Sequence, residues 1–298
     1  MRRILFPTDF SPCAERALAH ALFHADTQNA ELHILHAVHW DAPSSTGTMP
    51  DPETILHEMH QVARVRIAEM LSSRGEQTFH IVTRTEIGPR PAAVINQYIT
   101  DHHICMTVMG THGRSLIPHF LLGSVAEEVA RTAHCPVMTV RADGAHNRLG
   151  ALRHILVPID YSNQAKHALY HARQIAEMHG SMVHLLHVIP DIEPACGHAD
   201  AGFELLDTMM PRLVEEHRER LGAFLEQTGG ARVPYDVEVA TGKVHWQTVA
   251  IAEKHHMDMI VMGTHGYKGF NHLLLGSNAE RVIRTAPCPV FTVKINNI

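Results

Sequence analysis

The sequence predicts an α/β protein built from two tandem, doubly wound, five-stranded parallel-sheet domains. Three observations predict it. The chain repeats itself: ILFPTDFS at 4–11 returns as ILVPIDYS at 155–162, and four further blocks return in the same order. Each copy alternates short apolar runs with stretches of helical spacing, the pattern of a parallel sheet with helices on both faces. The length of 298 residues suits two domains of about 150 residues each.

The elements follow in order. RRILFPTD is a short apolar run closed by turn residues and reads as a buried strand. Ser11-Pro12 supplies an N-cap and a first-turn proline for the helix that continues through CAERALAHALFHAD. ELHILHAV at 31–38, matched by MVHLLHVI at 182–189, is apolar almost throughout, as a strand buried on both faces must be. A long helix over 53–74 follows. FHIVTRTEIG is strand three and PAAVINQYITDHH a helix. ICMTVMG, matched by MDMIVMG, is strand four; 124–133 is a helix. RTAHCPVMTV, matched by RTAPCPVFTV, carries strand five. The domains are 1–143 and 152–298, and the polar segment at 144–151 is the linker.

Composition narrows the function. Hydrophobic residues make up 45% and charged residues 19%, which gives enough apolar side chain for two cores. A net charge of -6 gives no reason to expect nucleic acid or an anionic membrane as partner. The apolar run behind the N-terminal arginines is too short for a signal peptide, and no run is long enough to span a bilayer. A cytoplasmic protein is expected. The five cysteines, Cys13, Cys105, Cys135, Cys196 and Cys288, form no C-x-x-C pair, so neither a disulfide framework nor a zinc ribbon is indicated.

Histidine is abundant, at 27 residues. Acidification would swing the net charge to positive, which could serve a pH sensor; a lineage preference for histidine at surface sites is the plainer and favoured reading. His20 and His24, and His167 and His171, are spaced i, i+4, a two-ligand arrangement with no third ligand fixed by the sequence. His33, His36, His184 and His187 occupy equivalent strand-two positions and read as packed histidines, with a place beside a ligand as the alternative. The pairs 102–103 and 255–256 fall at helix C-termini, where the dipole favours them. Cys135 and Cys288 precede a strand and read as buried.

Function lies in the loop. GTHGRSLIPHFLLGS at 110–124 returns as GTHGYKGFNHLLLGS at 263–277, with nine of fifteen positions identical. In doubly wound sheets ligands bind outside the carboxyl ends of the strands, where the strand order reverses. Asp9, at the end of strand one, and Gly110, at the end of strand four, fall there. Glycines admit a ligand close to the backbone, and a helix opening at Ser124 offers free N–H groups and a positive dipole end to an anion. The set suits a phosphate chain, although it is neither a Walker loop nor a Rossmann fingerprint. A plainer reading of Ser124 is available: Ser124 with Glu127, and Ser277 with Glu280, spell capping boxes.

G-x2-G-x9-G-S after an apolar VMG strand, with P-x-D-x-S after strand one and a closing CPV strand, resembles the universal stress protein superfamily in both halves. The resemblance implies an adenine-nucleotide alpha hydrolase-like fold and the ATP-binding branch of that family. ATP is the implied ligand, with ADP or AMP in its place and Mg as companion. It implies phosphate and ribose contacts for Gly110, Gly113, Gly123 and Ser124, and for Gly263, Gly266, Gly276 and Ser277. Asp9 and Asp160 match the acidic residue near the nucleoside. Val38 and Val188 match the strand-two residue whose backbone meets adenine. Pro7, Thr8, Met109, Val125, Pro158, Met262 and Asn278 complete the expected set.

The sites are not equal. Arg114, a phosphate partner, is Tyr267 in the second copy, Val125 is Asn278, Thr8 is Ile159, and Cys105 is Asp258. Arg114 favours the first site for a triphosphate. The family commonly dimerises through its last strands, so 137–140 and 290–293 are expected to pair within one chain as a pseudo-dimer, covering edges otherwise exposed; a homodimer of such chains is a further expectation. The function expected is a nucleotide-binding stress-response or signalling regulator with an unidentified protein partner and little rapid turnover. The alternatives are a slow ATP hydrolase, or a module in which one half binds a metal or a non-nucleotide ligand. The divergent segments 41–74 and 191–226 are where a pocket or partner surface would differ.

Overall fold

The computed structural model describes residues 1–39, 52–72, 74–75, 77–112, 122–142, 152–190, 199–264 and 275–295. The chain divides into two compact units, Met1–Asp143 and Gly144–Ile298. The expected linker at 144–151 lies outside the described residues.

The first unit runs β1 (Arg3–Pro7), α1 (Pro12–Gln28), β2 (Glu31–His39), α2 (Pro52–Ser72), β3 (Ile81–Gly88), α3 (Pro91–Asp101), β4 (Met106–Gly110), α4 (Ser124–Thr132) and β5 (Val137–Val140). Its strands lie in the order β3-β2-β1-β4-β5 and pair in parallel. The chain moves outward from β1 to β3, then returns to the other side of β1 for β4. The order reverses between β1 and β4, and their carboxyl ends frame the crevice.

The second unit repeats this with β6 (His154–Pro158), α5 (Asn163–His179), β7 (Met182–Ile189), α6 (Ala199–Thr228), β8 (Tyr235–Thr241), α7 (Val244–Lys254), β9 (Met259–Gly263), α8 (Ser277–Thr285) and β10 (Val290–Val293). Its strand order is β8-β7-β6-β9-β10, again parallel.

Local chemistry sets the elements. Ser11 caps α1 by accepting the Ala14 N–H at 3.2 Å, and Pro12 opens the helix. Ser162 caps α5 in the same way through Ala165. The two helices end on left-handed residues, Asn29 in one and Gly180 in the other, the residue types that adopt this conformation most readily. Ile4, Leu5 and Phe6 of β1, and Ile155 and Val157 of β6, are fully buried at the centre of each sheet. β3 and β8, at the margins of their units, keep exposed positions.

The second unit has a lock of its own. Arg173 of α5 is buried, and its guanidinium donates to the carbonyls of Leu225, Gly230 and Ala231 at the end of α6. A cation at a helix C-terminus satisfies carbonyls that the helix leaves open.

Several of the described histidines are structural. Burial pushes the imidazoles of His33 and His187 below their ordinary range, and that of His20 down to about 4. Such groups bind fewer protons folded than unfolded, so their stabilising contribution is complete above pH 6.5 and drains away as the pH falls toward 4. For His20 alone this amounts to on the order of 3 kcal/mol across that window. The expected outcome is a melting temperature that falls between pH 7 and pH 5. In His20→Gln, followed by circular dichroism, the fall should be shallower; an unchanged slope would show that His20 is not the group involved.

Candidate functional site

The site grows from the turn after β1. Thr8 donates its N–H to Leu35 at 2.8 Å, which holds the turn against β2. The Thr8 hydroxyl accepts the Phe10 N–H at 3.0 Å, and Asp9 Oδ1 accepts the Ser11 N–H at 3.1 Å. Phe10 is thereby held at φ 61, a left-handed conformation unusual for a bulky side chain. His36 of β2 braces the turn: its Nδ1 lies 2.7 Å from the Thr8 carbonyl, which can only accept, so Nδ1 carries the proton. The His36 ring packs against Phe10, with centroids 4.6 Å apart.

The second unit builds the same turn from different side chains. Asp160 accepts from Ser162, Tyr161 sits at φ 63, and His187 donates to the Ile159 carbonyl at 2.7 Å. Tyr161 adds contacts that Phe10 has no hydroxyl to make: its OH lies 3.1 Å from His217 Nδ1 of α6. Burial raises the Tyr161 phenol to about 12, with Arg220 opposing from 4.0 Å above the ring.

β4 supplies the opposite wall. Gly110 ends it, against the first turn of α1. A Cβ there would stand 2.9 Å from Cys13 Sγ, 3.0 Å from the Cys13 carbonyl carbon and 3.2 Å from the Ala14 nitrogen. Gly110 is therefore required by close packing whether or not a ligand is present. Thr111 follows, wholly buried, and receives the returning chain: its carbonyl accepts the Gly123 N–H at 2.8 Å. Thr264 does the same for Gly276.

That tie corrects the capping expectation. The N-cap of α4 is Gly123, not Ser124, and its carbonyl accepts the Glu127 N–H at 2.9 Å. Ser124 is the first helical residue, exposed, and makes no cap hydrogen bond. Gly276 and Ser277 of α8 repeat the arrangement. The capping boxes are not formed. The N–H groups of Ser124, Val125 and Ala126 precede the first intrahelical bond and face outward from the helix end.

These parts enclose a cavity of about 220 Å³ in the first unit. Of the expected residues, Pro7, Thr8, Asp9, Met109, Gly110, Gly123, Ser124 and Val125 line it. Gly113 and Arg114 lie outside the described residues, as do Gly266 and Tyr267 of the second unit. Sequence reasoning missed Ala37, Pro91, Ile95, Thr111 and His112, which also line the cavity. The T-H of GTHG, identical in both copies, was the available signal for the last two.

Val38 does not line the cavity; Ala37 does. His36 and His187 make the same hydrogen bond, so Ala37, not Val38, is the counterpart of Val188. Matching valine to valine had shifted the strand by one residue, which exchanges its faces. In the second unit, Pro158 ends β6, Asp160 lies in the turn, Val188 and Met262 are buried in β7 and β9, and Gly263 closes β9. Gly276, Ser277 and Asn278 open α8.

The Cys105/Asp258 difference belongs elsewhere. Both residues precede their strands, at the opposite end from Gly110 and Gly263. Asp258 accepts from the N–H groups of Arg153 and His154, and the Cys105 thiol donates to the Arg3 carbonyl. Cys13 is buried and donates to the Val140 carbonyl. His33 is held between Tyr98 and Glu31, at 2.7 Å from each. Among the described residues no group of three or more His, Cys, Asp or Glu side chains could hold a metal, and no helix is long and apolar enough to cross a membrane.

Fold and site together define a tandem α/β protein with a ligand-sized crevice at the switch point of its first sheet. Residues 1–141 and 151–294 each match the universal stress protein family, and the chain belongs to that family. A universal stress protein of Mycolicibacterium smegmatis is 28% identical over 98% of this chain and 96% of its own length. One from Methanocaldococcus jannaschii is 36% identical over 47% of this chain and 81% of its own. In structure, a universal stress protein from Archaeoglobus fulgidus overlays with a TM-score of 0.67 at 24% identity, covering 98% of this chain and 96% of that one, which bears on the fold alone.

The close approach at Gly110 is testable without any ligand. Gly110→Ala should lower unfolding stability in urea by about 1–3 kcal/mol, the usual cost of overpacking. Unchanged stability would mean that α1 does not press on β4 as described.

Proposed function

We propose that each unit binds an adenine nucleotide, ATP foremost, at the carboxyl ends of its central strands. Occupancy, rather than rapid turnover, is then the signal passed to a partner in a stress response. The observation that carries this reading is the first-unit cavity. There the β1 turn (Thr8, Asp9), the end of β4 (Met109, Gly110) and the N-terminal turn of α4 (Gly123, Ser124, Val125) converge. Ala37, Ile95 and Met109 give it an apolar wall suited to a base. Outward N–H groups and an uncommitted serine suit phosphate oxygens. Mg would arrive with the phosphates, and no described cluster is asked to hold it alone.

Denaturing the purified protein and counting the released small molecules by mass spectrometry tests the reading, with titration by Mg-ATP beside it. Adenine nucleotide at one or two per chain is the expected result. Ser124→Ala and Ser277→Ala should each weaken one site about tenfold to a hundredfold, the loss of one hydrogen bond to a charged group. No released nucleotide and no heat of binding would overturn the proposal.

A further inference from the structure

The two units carry different charge at corresponding positions next to the expected site. In the first, Arg90, the N-cap residue of α3, pairs with Glu128 of α4 at 3.4 Å. The corresponding residues of the second are Lys243, the N-cap of α7, and Arg281 of α8. An ion pair has become two cations. His245, only 9% exposed, lies near both: burial first, and these two cations after it, hold its imidazole below the ordinary range. Arg281 stands one turn beyond Ser277 on the same face of α8. Beside Lys243, Trp246 is 66% exposed, with the ammonium 5.2 Å from its ring centroid.

Surface cations are ordinarily just solvated. Here they stand where the first unit has an attractive pair, so like charges repel where opposite charges attracted; Lys243 lies beside an exposed indole, and Arg281 one turn beyond the helix start expected to meet phosphate. An anion between them would relieve the repulsion.

We propose that Lys243 and Arg281 form an anion subsite at the rim of the second unit's nucleotide site. It selects ligands with a longer, more highly charged phosphate chain, and Trp246 lies against its edge. The inference rests on the nucleotide reading of that site. It runs opposite to the expectation drawn from Arg114, which lies outside the described residues: here the unit suited to a triphosphate is the second. The first unit, neutralised by Arg90–Glu128, should discriminate less between AMP and ATP.

The sequence has two tryptophans, so Trp40→Phe leaves Trp246 as the sole reporter. In that background, inorganic tripolyphosphate should change Trp246 fluorescence, with an effect that weakens as salt rises. Arg281→Glu, which copies the residue of the first unit, should abolish the change. It should also reduce the ATP-over-AMP preference of the second site, measured by calorimetry, about tenfold. Lys243→Gln removes a side chain that makes no cap hydrogen bond and should act in the same direction; circular dichroism checks that both variants fold. AMP binding with an ATP preference unchanged in both variants would overturn the subsite and leave the nucleotide reading intact. No binding of AMP or ATP, with a tripolyphosphate signal still lost in Arg281→Glu, would overturn the nucleotide reading and keep the subsite. No signal from any probe would overturn both.

Discussion

The contact between the first turn of α1 and the end of β4 is the constraint on which the site depends. Gly110 lies so close to the Cys13 and Ala14 backbone that a Cβ has no room. Because α1 is pinned there, the β1 turn must climb out of the sheet and into the helix within four residues. That short path forces Phe10 into the left-handed region. Thr8 and Asp9 hold the turn with side-chain hydrogen bonds, and His36 braces its carbonyl. Local strain of this kind persists only where neighbouring contacts over-determine it. The second unit keeps the geometry with Tyr161 and His187, although its helix and strand carry different side chains elsewhere. What the two copies share is the backbone path, and the path is what shapes the crevice.

The histidines belong to the same structure. His36 and His187 donate through Nδ1 to a turn carbonyl, and His33 bridges Glu31 and Tyr98. Each works as a hydrogen-bonded structural residue, and burial holds His33 and His187 below their ordinary range. A chain rich in such groups senses acid by losing stability. That response differs from a switch that changes partners while the fold stays intact.

Architecture was legible in the sequence because it rests on local periodicity repeated twice. Every strand and helix expected from pattern is present, and the turn after β1 and the start of α4 do meet at the cavity. What escaped was decided by tertiary contact. S-x-x-E at 124–127 satisfies the capping rule locally, yet the Gly123 N–H is drawn to Thr111 and the helix begins on glycine instead. Gly110 looked like a ligand residue, and only the position of α1 shows its packing role. Matching Val38 to Val188 followed side-chain identity, whereas the hydrogen bonds of His36 and His187 fix the register one residue earlier. Cys105 and Asp258 differ in sequence like site residues, but a five-residue strand separates them from the crevice.

The divergence of the copies therefore has to be read by place rather than by amount. Thr8 to Ile159 removes a hydroxyl from the turn, but both backbones keep the same path, so this change alters lining rather than shape. Glu128 to Arg281 is a single substitution on a short helix, easily passed over in a chain with a net charge of -6. Its weight comes from α7, which presents Lys243 to the same buried His245. A charge reversed opposite a cation changes the local field twice: an attraction is removed and a repulsion is added. Duplication frees one copy to drift only where the fold tolerates it, and the backbone of the turns has kept its path even where side chains changed. The charge next to the proposed site has changed sign, and such a change leaves untouched the backbone that builds the crevice.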